Sequence, residues 1–433
     1  MGAVEARDLT TSYQRRILDD ELDELLLGLA AVAIEGPKAV GKTATALQRA
    51  GTVHRLDDEV QREIARADTR RLLEGVPPIL IDEWQRLPES WDLVRRSVDD
   101  DPSPNRFLLT GSASPVDPPT HSGAGRIVRV RMRPLSLAER GVEAPTVSLA
   151  ALLGGRRPRV AGATRVSLRD YTDEILTSGF PAVSRLRGRA LRAQMESYVE
   201  RVVDREFQEV GYAVRNPDAL RAWMRAYAAA TATTATLETI RDAATAGEAD
   251  KPSRSVVLAY RAALQRLWLL DPLSAWIPSR NQIARLARPD KHHLADPALA
   301  AVLLGLSAEA LLSGDDAGLD IPRDGTLLGH LFESLVTQSV RVYAQAAEAD
   351  VRHLRTDHGR HEVDLVVIRP DQRVVALEVK LARSVADDDV KHLLWLQEQI
   401  GADLLDAAVI HTGPEAYRRP DGIAVVPAAL LGP

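Results

Sequence analysis

The sequence predicts an α/β protein: a P-loop NTPase sheet, then a helical region with winged-helix order, then a second α/β domain. Three observations carry this. Gly36-Pro37-Lys38-Ala39-Val40-Gly41-Lys42-Thr43 reads G-x-x-x-x-G-K-T between an apolar run (Ala30 to Ile34) and a helix-forming stretch (Ala44 to Ala50). A second apolar run, Pro78 to Ile81, ends in Asp82-Glu83 about 40 residues downstream. Near the C-terminal end, apolar strands carry Asp364, Glu378 and Lys380.

The first motif is a phosphate-binding loop. Gly36 and Gly41 let the backbone bend past Pro37 so that N–H groups of the Lys38 to Ala44 stretch face a phosphate at a helix N-terminus. Lys42 reaches the β- and γ-phosphates, and the Thr43 hydroxyl is a Mg²⁺ ligand. Lys38, Ala39 and Val40 complete the loop. Asp82-Glu83 lies at a strand's C-terminal tip, where open α/β sheets bind ligands. Asp82 is the candidate to hold Mg²⁺, and Glu83 the candidate to orient and polarise the attacking water. ATP and Mg²⁺ are therefore the expected cofactors.

The surrounding chain reads in the same terms. Arg15 to Leu29 is an amphipathic helix with acids at Asp19, Asp20, Glu21, Asp23 and Glu24, and Gly51 to Asp57 is the next strand. Arg106 to Ser112 is a third strand ending in hydroxyls. Such a strand lies between the other two in additional-strand ATPases, and Thr110 and Ser112 are candidates to sense the γ-phosphate; the alternative is a plain Gly-Ser turn. Gly125 to Ser136 alternates Arg on a strand, ordinarily a solvated face. Arg126 could instead be an arginine finger, in cis or from a neighbouring copy.

Gly-Pro-Lys-x-x-Gly-Lys-Thr, Leu80 to Pro88, Leu108 to Ser112 and Gly125 to Ser136 together resemble one family. It comprises bacterial and archaeal AAA-type ATP-binding proteins with a C-terminal domain of unknown function. The resemblance covers nearly the whole chain and implies architecture more than biology.

At 433 residues the chain has room for about three domains; their expected bounds are 1–155, 156–320 and 321–433. The net charge of −6 makes any DNA-binding surface local. There is no cysteine, which excludes disulfides, thiolate zinc sites and cysteine nucleophiles. Met1 to Arg16 lacks the apolar core of a secretory signal, and no apolar run is long enough to span a bilayer. A cytoplasmic protein without a membrane partner is expected.

In the middle region Ser167 to Leu176 and Ala190 to Val210 read as helices around Ser178-Gly179-Phe180-Pro181, which resembles the family's Gly-Gly-Phe-Pro turn. Asp204 and Arg205 are expected to pair structurally. The helices Leu237 to Thr245 and Ser253 to Leu267 are separated by a polar turn at 247–251. With strands at Trp268 to Trp276 and His292 to Ala295 they give winged-helix order. Arg254, Arg261 and Arg266 would meet DNA if the second helix entered a groove; such modules also serve only as packing.

The C-terminal region orders helix (Leu327 to Tyr343, with Glu333), three strands, a helix and further strands, an αβββαβ succession. Glu378 and Lys380 fall on one face of a strand, where Asp364 on the paired strand can join them. The resulting D…ExK resembles the restriction-endonuclease (PD-(D/E)xK) core, with Glu333 as that fold's helix acid. The resemblance implies that Asp364 and Glu378, with Glu333, hold a hard divalent cation, and that Lys380 orients the attacking water. His358 and His361 read as surface residues. The sequence-based expectation is a Mg²⁺-dependent ATPase coupled to a DNA-directed nuclease-like domain; the alternative is an ATP-gated binding switch with an inert C-terminal domain. DNA and further copies of the chain are the candidate macromolecular partners.

Overall fold

The structure is a computed structural model that describes residues 13–112, 123–245, 252–278, 288–312, 325–356 and 359–433. The expected turn at 247–251 and His358 lie outside these residues. The chain forms two units. The first holds residues up to Arg133 together with 209–211 and 266–268, and the second holds the remainder.

The first unit is built on five parallel strands: β1 (Ala31–Glu35), β2 (Thr52–Arg55), β3 (Ile79–Asp82), β4 (Phe107–Gly111) and β5 (Ile127–Arg131). Their order is β2-β3-β4-β1-β5. The third strand read from the sequence, β4, does lie between β1 and β3. Every residue of β1, β3 and β4 is buried, which is why these strands are continuous apolar runs rather than alternating ones. Trp84, Trp91, Val94 and Val98 pack with Ala31, Ala33, Ile81, Phe107 and Leu109. The helix Leu18–Gly28 buries Leu18, Leu22 and Leu26 at helical spacing.

In the second unit, β6 (Val147–Ser148) and β7 (Gly162–Ala163) precede a mainly helical stretch. Then come the helix Gly325–Ala346, β8 (Asp350–Arg355), β9 (Glu362–Ile368), β10 (Val374–Lys380), the helix Asp387–Ile400, β11 (Leu404–His411), β12 (Glu415–Arg418), β13 (Ala424–Pro427) and β14 (Leu431–Gly432). Seven strands form one sheet in the order β7-β12-β13-β11-β10-β9-β8. The αβββαβ succession is present. β12 and β7 extend the sheet beyond it, since β12 closes antiparallel on β13 and leaves an edge that Gly162–Ala163 pairs.

The first unit's main stretch ends at Arg133, and residues 134–155 belong to the second unit. Val147 and Ser148 pair with Leu431 and Gly432, and the Thr146 N–H donates to Leu430 O at 2.9 Å. These backbone groups find partners only in the second unit, so 134–155 folds there.

The long helix expected over 190–210 is Gly188–Arg201, followed by a π turn over Val202–Glu206 and the short helix Phe207–Glu209. Asp204 pairs with Arg221 at 3.2 Å, a structural ion pair. The two helices of the winged-helix reading form at Leu237–Ala244 and Arg254–Arg266. Between the two segments expected to form the wing, the described residues show isolated antiparallel bridges, Leu270↔Leu294 and Leu273↔Lys291. Trp276 N donates to His353 O and His353 N donates to Ser274 O, so 274–276 runs along β8. Arg254 and Arg261 pair with Glu238 (3.7 Å) and Asp290 (3.3 Å).

His353 is 1% exposed, with Nε2 3.1 Å from Pro289 O. Burial, then the charge of Lys291, lowers its pKa to about 4. The unfolded chain takes up a proton near pH 6.5, whereas the native imidazole stays neutral down to about 4. Stability from this group is therefore intact above pH 6.5 and lost as pH falls toward 4. Relative to a His353→Gln protein, the wild type should lose roughly 3 kcal/mol across that window. Urea unfolding of both proteins at pH 7.5, 5.5 and 4.5 checks this, and parallel pH curves would contradict it.

Candidate functional site

The nucleotide site sits where β1, β3 and β4 end. The loop backbone takes unusual conformations: φ is 158° at Gly36, 65° at Ala39 and 105° at Gly41. A Cβ at Gly36 would lie 2.2 Å from Met132 O, because β5 runs beside the start of the loop. Lys42 is 5% exposed, and its ammonium donates to Gly36 O (2.9 Å) and Pro37 O (2.7 Å). Its Nζ thereby lies against the loop. Thr43 and Ala44 lie in the first turn of the helix Lys42–Leu47.

The hydroxyls of Thr43 (2.7 Å) and Thr110 both donate to the same oxygen of Asp82. Register explains the meeting: Asp82 of β3 is directly opposite Thr110 of β4. Two hydroxyls and a carboxylate converging at one place form an all-oxygen donor set, which fits a hard divalent cation such as Mg²⁺. Thr43 and Asp82 are the residues that would hold it.

Glu83 has a left-handed backbone (φ 55°), uncommon for a residue other than glycine and found where a site requires it. Its N–H faces Thr110 Oγ1 at 3.4 Å. Its carboxylate accepts from Ser112 Oγ (2.9 Å) and Gln85 Nε2, and Gln85 Nε2 also reaches Ser112 Oγ at 3.2 Å. Ser112 thus touches the glutamate next to the metal-type oxygens. Gln85 was missed as a site residue, although it is only two positions from Glu83.

Two further residues have no local signal. Arg16 is 4% exposed and donates to Val40 O (3.0 Å) and Arg133 O (2.7 Å), bracing the loop from behind. Glu209, within this same unit, accepts from Lys38 (2.7 Å) and Arg86 (3.1 Å).

Arg126 is placed differently from the cis arginine finger. Ile127 pairs with Ala31 at the beginning of β1, whereas the loop follows Glu35 at its end. In a parallel sheet this leaves Arg126 roughly 13 Å along the strands from its own loop. It pairs with Asp99 at 2.6 Å.

The second candidate site lies in the second unit, where Glu333, Asp364, Glu378 and Lys380 are all brought together. Glu333, Asp364 and Glu378 are buried. Asp364 Oδ2 accepts from the Val379 N–H at 2.9 Å, and Lys380 Nζ lies 2.8 Å from Glu378 Oε1. Glu378 Oε2 finds no hydrogen-bond partner among the described residues.

Sequence reasoning did not foresee the fifth member. Lys291, 1% exposed, sits among the acids: its Nζ lies 2.8 Å from Glu333 Oε1, 3.1 Å from Asp364 Oδ1 and 3.2 Å from Glu362 Oε1. Burial opposes the charge on Lys291, but Asp364, Glu333 and Glu362 together raise its pKa. Burial, then the neighbouring charge of Asp364, pushes Glu333 and Glu378 up to about 8. Asp364 moves the other way: burial would raise it, but Lys291 and the Val379 N–H hold it low. Among the described residues, no group of three or more His, Asp or Glu side chains is arranged to hold a metal ion. Glu333 and Asp364 converge on the Lys291 ammonium, whereas Glu378 pairs with Lys380. His361 stacks on Trp395 with ring centroids 4.0 Å apart.

Comparison with known proteins divides the chain in three. Residues 30–140 match a family described as an AAA domain, and residues 168–310 and 328–431 match two domains of unknown function, DUF8612 and DUF4143. An uncharacterized protein of Mycobacterium tuberculosis and one of Mycobacterium bovis are each 29% identical over 184 residues, 41% of this chain and 41% of each relative. The match thus spans about two fifths of those relatives' length. Among solved structures, a Walker-type ATPase of Pyrococcus abyssi (15% identity, 68% of this chain, 96% of that one) gives a TM-score of 0.41. The ORC2 protein of Aeropyrum pernix in ADPNP and ADP complexes (15% identity, 70% and 98%) gives 0.28. Among the described residues no helix is long and apolar enough to cross a membrane. The loop, the Asp82-Glu83 tip and β4 between their strands all fall within residues 30–140, the stretch that matches the AAA domain.

Proposed function

We propose that the chain is a Mg²⁺-dependent ATPase whose turnover gates the activity of its C-terminal region. The observation that supports this best is Glu83. Its carboxylate is held by Ser112 and Gln85, one residue from the Asp82 oxygen on which Thr43 and Thr110 converge. A P-loop that only binds nucleotide has no need of a second, separately oriented acid there. Bound Mg²⁺ would neutralise phosphate charge. Lys42 would bind the phosphates, Thr110 would report on the γ-phosphate through its shared partner Asp82, and Glu83 would orient the attacking water.

For the C-terminal region, the αβββαβ order and D…ExK favour a nuclease-like, DNA-directed domain. One observation favours the second reading, a binding switch that does not cut: Lys291 among the carboxylates. One experiment addresses both. Full-length protein is incubated with ATP and supercoiled plasmid in Mg²⁺, Mn²⁺ or EDTA, with Lys380→Ala as control. ATP hydrolysis that stops in EDTA, with the plasmid intact, is the outcome expected of the switch. Plasmid nicking lost in Lys380→Ala would establish the nuclease, and absence of ATP turnover in Mg²⁺ would refute the ATPase.

A further inference from the structure

A divalent ion at Glu333, Asp364 and Glu378 would need those oxygens for itself, at about 2.0–2.1 Å for Mg²⁺. The structure directs two of these acids elsewhere. The three N–H donors of one ammonium face three carboxylates, from Glu333, Glu362 and Asp364. Lysine is almost never buried this deeply unless paired, and here the pairing is complete. Nor is Lys291 a side chain passing through. Its backbone is pinned from both sides, since Lys291 N donates to Leu273 O and Leu273 N donates to Lys291 O, each at 2.8 Å. Glu378 has its own cation in Lys380, and Glu362 has a second one in Arg355 at 3.8 Å. Four carboxylates are thus answered by three fixed cations. A metal at the same point would bring two cations into contact range and take from Lys291 the oxygens that offset its desolvation.

We propose that the Lys291 ammonium is the resident cation of this site, occupying the position a divalent metal would take, so that the C-terminal domain keeps its fold without metal and does not cleave through one. The inference stands on the carboxylate cluster alone and is independent of ATP hydrolysis. It assigns Lys291 a role that chain order hides, because the residue lies 42 positions before Glu333 and inside the segment read from sequence as a wing.

The test titrates Mn²⁺ into full-length protein without nucleotide, so that any ion at the phosphate loop is counted equally in each variant. Wild type and Asp364→Asn should bind the same number of ions, and EDTA should leave the wild-type thermal midpoint unchanged. Lys291→Met should lower that midpoint by at least about 5 °C, with partial recovery in millimolar Mn²⁺ as the ion replaces the lost charge. If Lys291→Met does not fold, the triple variant Lys291→Met/Glu333→Gln/Asp364→Asn keeps the test open. With the charges removed together it should fold and melt within a few degrees of wild type. One more Mn²⁺ bound by wild type than by Asp364→Asn would overturn the proposal. So would an unchanged midpoint in Lys291→Met, or wild-type plasmid nicking that disappears in Glu378→Gln.

Discussion

A Glu83→Gln protein should bind ATP about as well as the wild type and hydrolyse it about 10²–10⁴-fold more slowly, the usual effect of removing a group that handles the proton of an attacking water. The two halves of this expectation rest on different contacts. Binding depends on the loop backbone, on Lys42 and on the Thr43–Asp82 pair, none of which the substitution touches. Turnover depends on a carboxylate whose position is fixed by Ser112 and Gln85. Glutamine has the same shape and can still accept from one of these donors, so the site should stay assembled while its charge is lost. Phosphate release at saturating ATP, set beside equilibrium binding of a fluorescent ATP analogue, separates the two. Hydrolysis within about threefold of wild type would remove Glu83 from its role. A variant that no longer binds ATP would show that the residue shapes the loop instead.

The parts of this site legible in sequence are those whose chemistry is local. G-x-x-x-x-G-K-T and the Asp82-Glu83 tip each lie on one strand–turn segment, and apolar runs buried at every position announce the parallel strands around them. The register that sets Thr110 against Asp82 follows once β4 lies between β1 and β3. What escaped is contact between distant segments. Arg16 reads from sequence as the start of an amphipathic helix, yet its guanidinium spans Val40 O and Arg133 O. Arg126 follows a glycine-bearing loop and so resembles a finger, but parallel pairing delivers it to the wrong end of the sheet. In the second unit the alternation of β10 predicts Glu378 beside Lys380, and it is correct. Nothing in the local pattern reveals that Lys291 reaches the same acids, because a buried lysine is specified by its partners and not by its neighbours in the chain.

Asp296 shows how much stability can rest on such a nonlocal residue, and Asp296→Ala should cost about 3–5 kcal/mol. The side chain is fully buried. One carboxylate oxygen accepts from the Gly179 N–H (2.6 Å) and the Ser178 hydroxyl (3.2 Å); the other accepts from the Ala298 N–H (2.8 Å) and caps the helix Pro297–Leu303. Arg140, also buried, lies 4.0 Å away. The Ser178-Gly179 turn therefore has a physical reason for its residues. Ser178 holds a positive φ of 74°, and a Cβ at Gly179 would lie 2.8 Å from backbone atoms of Leu135. Only a glycine lets the chain pass there and present its N–H to Asp296. Alanine at 296 would leave three donors buried without their acceptor, each expensive to desolvate unpaired, while Arg140 would keep its bonds to Glu174 and Leu135. Asparagine keeps one acceptor oxygen and should recover part of the loss. Urea unfolding followed by circular dichroism measures both variants. A loss below about 1 kcal/mol for alanine, or equal damage from asparagine and alanine, would mean that the turn is held by packing around Phe180 and not by the carboxylate.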